Sequence, residues 1–236
     1  MLTGDRVIRT GAAAYADRRG AYAYRAGQMK KRVRPQRRRW FVPQETLDYP
    51  PFPPLKWDHY FWVGEIVLPS WAGFQARRGG YGAVSSRRAS DGSARLSVSP
   101  LDDKARTPPT AEQVAAFRHL MDNEAAVAAT VARALVDYCP GNAYDGDDEE
   151  LLEVSEPADL CPLVGLSEVH VLNIFHAGAA CVGFQFGCVW DEEHGAGVMT
   201  HLGRVIATGQ ADCSFMKWIA RQGLDKLQRR KGKKRL

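Results

Sequence analysis

Trp190-Asp191-Glu192-Glu193-His194-Gly195-Ala196-Gly197-Val198 places three carboxylates and an imidazole in four consecutive positions, followed by two glycines. A carboxylate beside an imidazole can orient it for proton transfer, because a His pKa of about 6.5 moves readily under a neighbouring charge. Downstream, Gly209-x-Ala211-Asp212 brings another carboxylate to the expected start of the last helix, where Asp212 suits the N-cap. The candidate catalytic residues are therefore Asp191, Glu193, His194 and Asp212, and a binding surface here would add Trp190, Glu192 and Arg204. The same carboxylates and imidazole could hold a divalent ion, but the H-E-x-x-H spacing of a zinc site is absent, and neither a metal nor a cofactor is assigned. A plainer account covers the same letters. Neighbours along a chain do not converge on one point unless the backbone folds around it, whereas acids that cap a turn and a helix, with His194 bonded to the backbone, need no ligand.

Other patterns point away from known chemistries. There is no Gly-rich phosphate loop and no G-x-S-x-G elbow. The Asp145–Glu150 run lacks the glycine in register and the distant Glu of a calcium loop. His170 shares a strand face with Leu172 and Ile174 and reads as a partly buried strand residue; His201 lies beside a turn. The five cysteines form no C-x-x-C pair and read as reduced, buried thiols.

The elements that must position the cluster follow from periodicity. Tyr60–Leu68 alternates as a strand with both faces partly covered, ended by Pro69; shorter strands are expected at Trp71–Ala76, Gly80–Ser85 and Ala94–Ser99, with a tight turn at Asp91-Gly92. Thr110-x-x-Gln113 is a capping box, and Val114, Phe117, Leu120, Met121, Val127, Val131, Leu135 and Tyr138 predict one long amphipathic helix over about 110–138, stopped by Pro140-Gly141. Eight acids between Asp145 and Asp159 predict a solvated loop. Strands return at Glu168–Phe175 and Ala180–Trp190. In the second, Gly183, Gln185 and Gly187 form a small-residue back on which another element can pack closely. A hairpin around Leu202-Gly203 and a short C-terminal helix, Asp212 to about Gly223 with Phe215, Ile219 and Trp218 inward, complete an α+β fold with mainly antiparallel sheet pairing.

The motif at the strand end resembles a bacterial domain family of unknown function with a W-D-x-E-H-G-x-G-V segment, an R-V strand and G-x-A-D. Here those positions are Trp190, Asp191, Glu193, His194, Gly195, Gly197 and Val198, then Arg204, Val205, Gly209, Ala211 and Asp212. The similarity extends to a W-x-G-x-I-x-L-P opening at Trp62, Gly64, Ile66, Leu68 and Pro69, and covers roughly Trp57–Trp218. Members look like proteins found beside polymorphic toxins, which implies an immunity or binding role.

Charge divides the chain. Residues 1–40 carry 12 Lys/Arg against 2 Asp/Glu and residues 221–236 carry 8 against 1, so residues 41–220, with 12 against 24, are acidic beneath a net charge of +5. Residues 1–56 read as a disordered, basic and Pro-rich arm in which Met29 could itself be a start, 57–223 as one domain, and 224–236 as a basic tail. Without a signal segment or an apolar run long enough to span a bilayer, the expectation is a cytoplasmic protein with no membrane partner. Three functions are ordered by these features. The first is a non-enzymatic module whose acidic body meets a basic, toxin-like protein. The second is weak, non-specific nucleic-acid attachment through the basic ends. The third is a metal-dependent hydrolase built on the Asp-Glu-Glu-His cluster.

Overall fold

The computed structural model describes residues 45–78, 84–102, 105–139, 143–145, 148–152 and 154–233, all within the compact unit Pro43–Leu236. The basic arm before residue 45 and the Pro140-Gly141 stop lie outside these residues. The elements are β1 (Thr46–Leu47), β2 (Leu55–Asp58), β3 (Phe61–Arg78), β4 (Val84–Val98), α1 (Ala111–Asp122), α2 (Glu124–Tyr138), β5 (Ala143–Asp145), β6 (Asp148–Leu152), β7 (Val164–His176), β8 (Ala179–Cys188), β9 (Ala196–His201), β10 (Arg204–Gly209) and α3 (Lys217–Lys233), with 3-10 turns at Pro157–Leu160 and Ala211–Ser214.

Eight strands form one sheet in the order β1-β2-β3-β4-β7-β8-β9-β10, while β5 and β6 pair separately. The expected mainly antiparallel α+β arrangement with one long helix is corrected on two counts. First, the sheet is mixed: the crossover through α1, α2 and the β5–β6 ribbon returns the chain beside β4 in the same direction, so β4 and β7 pair in parallel over Arg95–Val98 and Glu168–Val171. Second, no single long helix forms: α1 and α2 divide the 110–138 stretch, and with α3 the described residues hold three short helices. The Thr110–Gln113 capping box does open α1, but Asn123, at φ −124 and ψ 28, leaves the helical region. The Asn123 backbone N–H still makes the helical bond to the His119 carbonyl, and its side-chain Nδ2 donates to the same oxygen, which closes α1 with Asn123 as its C-cap.

Two further readings are corrected by the long β3–β4 hairpin. Pro69 does not end β3, because it falls where pairing with β4 lapses between Val67 and Ala72 and no ladder hydrogen bond is forfeited. The outer face of its first half is partly covered: Val63 is half-buried, Phe61 is 38% exposed and Val67 55%, while Ile66 on the core face is 5%. Asp91-Gly92 is not a hairpin turn. Gly92, with φ +85, sits inside β4, where a Cβ would meet the Leu68 carbonyl oxygen at 2.7 Å. The acidic segment likewise contains the β5–β6 ribbon and a 3-10 turn rather than only loop.

Against one face of the sheet lies the main core, where Trp62, Leu68, Leu96, Val98, Val169, Phe184 and Phe186 meet Phe117, Leu120, Val131 and Leu135 of α1 and α2. Packing begins ahead of Trp57, since Phe52 is buried against Phe117 with ring centroids 4.5 Å apart. Among the described residues, the second face is covered over β7–β10. There the 3-10 turn Ala211–Ser214 rests on Gly183 and Gly197, and α3 inserts Ala220 and Leu224 against Leu172, Cys181 and Met199. The last helix starts at Lys217 rather than Asp212 and turns Trp218 outward at 59% exposure. Its buried stripe is Ala220, Leu224 and Leu227, so the first residues of the expected basic tail belong to a docked helix that exposes Arg221, Lys226 and Arg229.

Candidate functional site

The Asp191–His194 segment folds into a turn that spends its polar atoms on itself. Asp191 Oδ1 accepts from the His194 amide and lies 3.0 Å from His194 Nδ1, while Oδ2 accepts from Gln210 Nε2 at 3.0 Å. The Asp191 carbonyl accepts from the Gly195 amide at 2.7 Å and from Cys188 Sγ at 3.6 Å, and the His194 carbonyl accepts from the Ala211 amide at 3.1 Å. Burial alone would raise the Asp191 carboxyl, but the bonds from the His194 amide, Gln210 and the His194 ring outweigh it and hold the group below its ordinary value. This is a clamp that joins the β8–β9 connection to the start of the 3-10 turn.

The other expected site residues do not gather around that clamp. Glu192 and Glu193 point to solvent, and only the His194 ring, itself exposed, stays against Asp191. Asp212 lies within the 3-10 turn and serves through its carbonyl, which accepts from the Phe215 and Met216 amides; it does not cap α3. Arg204 pairs with His201 at the far end of β9, about 17 Å from the turn at strand rise. Among the described residues no three or more His, Cys, Asp or Glu side chains stand where they could hold one metal ion. Burial pushes the Cys181 and Cys188 thiols up to about 12, which leaves them inert as nucleophiles.

A different polar assembly lies on the uncovered half of the second face. The parallel β4–β7 pairing spans only four residue pairs; upstream of it the strands part, and the distal end of β3 reaches across to β7. The resulting groove, about 880 Å³, is lined by Glu65, Arg77, Arg88, Asp91, Arg95 and Glu168 among others. Glu168 organises one wall: its Oε1 accepts from Ser97 Oγ and lies 3.3 Å from Arg95 Nε, while Arg95 Nη2 reaches Asp58 at 2.6 Å. On the β7 side His170 Nε2 donates to Gln185 Oε1 at 3.0 Å, with Nδ1 3.8 Å from Glu168. Burial pushes the His170 imidazole below its ordinary value, against the opposing pull of Glu168 and of the Gln185 bond.

Sequence reasoning missed this assembly because its members, from Asp58 to Gln185, come from four strands, β2, β4, β7 and β8. The signal that could have found it is parity: Glu168 and His170 alternate on one face of β7, a face that also carries Leu172 into the apolar cluster under α3.

Arg77 is the least satisfied group at the groove. It is 3% exposed, and its Nε donates to Gln75 Oε1 at 2.9 Å, yet Nη1 and Nη2 are buried without a hydrogen-bond partner. Burial lowers its affinity for the proton, with Cys188 and Glu192 acting in the opposite sense. Two residues beyond Cys188, the Trp190 indole N–H is likewise buried without a partner.

Fold and site together define a mixed-sheet domain with a polar groove on an uncovered face. The chain belongs to a family of domains of unknown function, DUF6985, whose profile matches residues 84–216, more than half of the chain. That match takes in the Asp191 turn and the β4 and β7 walls of the groove, but not the Trp62–Pro69 opening, Arg77 or α3. No curated protein and no solved structure matches the chain. Among the described residues no helix is long and apolar enough to cross a membrane.

Proposed function

We propose that the chain is a non-enzymatic protein-binding module, in its concrete form an immunity (antitoxin-like) protein. The observation that carries this reading is the groove between β4 and β7. Its lining alternates in sign, Glu65, Asp91 and Glu168 against Arg77, Arg88 and Arg95, which suits complementary docking of a protein surface better than enclosure of an apolar small molecule. The acid excess of residues 41–220 adds long-range attraction for a basic partner. The hydrolase reading loses support because the Asp191 oxygens are engaged by the turn and Asp212 acts through its carbonyl within the 3-10 turn.

The test is isothermal titration of the full chain with the toxin domain encoded by a neighbouring gene. Binding at micromolar concentration or tighter is expected, and Glu65→Lys, which reverses an exposed charge on the groove wall, should weaken it by about ten-fold or more. Absence of heat, or a Glu65→Lys variant that binds as the parent does, overturns the reading. Nucleic-acid attachment is favoured by one observation, the outward Arg221, Lys226 and Arg229 of α3, whose apolar face is already buried and so unavailable to a lipid surface. Titration of the same chain with duplex DNA, repeated at higher salt, supports that second reading if affinity is measurable and falls steeply with salt.

A further inference from the structure

We infer that the groove contains a receptor for an oxyanion, a carboxylate or phosphate group, built on the Arg77 guanidinium. This rests on the groove being the binding surface and names what it grips.

The argument starts from an imbalance. Guanidinium groups are almost never fully buried unless paired, and Arg77 stays charged in any protein environment. Its stem lies across β7 at Gly165, where a Cβ would come within 3.0 Å of Arg77 Cγ and 2.1 Å of the Gln75 carbonyl oxygen, so the missing side chain makes the crossing possible. The Gln75 bond to Nε then fixes the plane of the fork. What is left are two Nη nitrogens, buried and unbonded, whose lost hydration no hydrogen bond among the described residues replaces. A neighbouring cation on the same groove is treated differently: Arg95 lies within ion-pair distance of both Asp58 and Glu168. Glu192 is near enough to act on the charge of Arg77, but its side chain is turned to solvent and forms no ion pair with Arg77.

Two parallel N–H vectors from a planar fork match the two oxygens of a carboxylate or phosphate, the arrangement in which arginine binds such groups most strongly. Arg77 is supplied by β3, outside the segment that matches the family profile.

The test uses the full chain and two small probes, inorganic phosphate and N-acetylglycinate, with sodium chloride at matched ionic strength as reference. A saturable rise in Tm with one or both probes, absent with chloride, is expected, and the probe with the larger rise identifies the oxyanion. Arg77→Met should abolish that rise and, by removing an uncompensated buried charge, raise Tm without any probe. Arg77→Lys, which keeps the charge but loses the fork, should weaken the saturation midpoint by about ten-fold. No probe-dependent rise in the parent, or the same rise in Arg77→Met, overturns the site; if Arg77→Met fails to fold, an unchanged midpoint in Arg77→Lys overturns it instead. A negative result here with a positive Glu65→Lys result in the partner titration removes the oxyanion receptor and leaves the binding groove; the reverse pattern leaves the receptor without that partner.

Discussion

The Asp191 turn and the β4–β7 groove hold nearly the same set of side chains, carboxylates with an imidazole near by, and they use it in opposite ways. In the turn, Asp191 serves an amide, a ring nitrogen and a side-chain amide within its own connection, and the residues around it face solvent. At the groove, Glu168, Ser97, Arg95 and Gln185 come from different strands and enclose His170, while Arg77 is left with two unbonded nitrogens. Crowding along the sequence builds a clamp; crowding across a sheet builds a surface with something left over. The covered half of the second face draws the same line, since there the 3-10 turn lies directly on glycines and leaves no space at all.

The largest expected effect comes from forcing that covered half open. A Cβ at Gly183 would stand 1.6 Å from the Ser214 carbonyl oxygen, which is backbone and cannot rotate away. Gly183→Ala should therefore cost about 3 kcal/mol or more, as overpacking against a rigid neighbour does. The check is the urea midpoint, and a variant within a few tenths of the parent would show that the 3-10 turn is not held against β8. A smaller loss follows from Asp191→Ala, which removes an acceptor from the His194 amide, the His194 ring and Gln210; about 2 kcal/mol is expected. The Asp191 carboxyl is held below its ordinary value, so its contribution is present above the unfolded value, about 3.9, and is lost as pH falls through the folded one. If activity of any kind disappeared from Asp191→Ala while its denaturation midpoint stayed put, the clamp would have to be redrawn as a working site.

Much of this contrast could be read in the sequence, and the part that could not has a physical reason. The alternation of Gly183, Gln185 and Gly187 against Val182, Phe184 and Phe186 announces close packing on one side of β8, and the structure places Ser214 there. Thr110 and Gln113 announce the start of α1, and the positive φ angles of Leu202 and Gly203 fit the expected hairpin. What failed were readings that depended on long-range pairing. One exception is local: an apolar stripe continues through Asn123, but its backbone leaves the helical region while its side-chain amide caps the His119 carbonyl, and the helix divides there. Asp91-Gly92 has the letters of a turn, but β3 beside it extends the pairing, so the glycine becomes an irregularity within β4. The parallel β4–β7 contact joins Ser97 to His170 across 73 positions of chain, a separation no local period reports. For the site, the clamp was legible because it is local, and the groove was not because it is made by register.

The smallest expected effect sharpens the groove side of the comparison. Burial holds the His170 imidazole below its ordinary value, with Glu168 and the Gln185 bond opposing that shift and Arg95 reinforcing it. The Phe215 ring packs against it from the other side at 5.4 Å between centroids. Because the folded value lies below that of the unfolded chain, about 6.5, the unfolded state takes up the proton first as the pH falls. The contribution of a neutral His170 is therefore complete above about 6.5 and is lost as pH drops from there through the folded value, with a slope of at most about 1.4 kcal/mol per pH unit. His170→Gln keeps a donor for Gln185 and does not titrate, so the dependence of the urea midpoint on pH should flatten below about 6.5 while the midpoint above it changes by less than about 1 kcal/mol. An unchanged slope would mean that the imidazole is already open to water, and that the groove, like the turn, is only a surface feature of the fold.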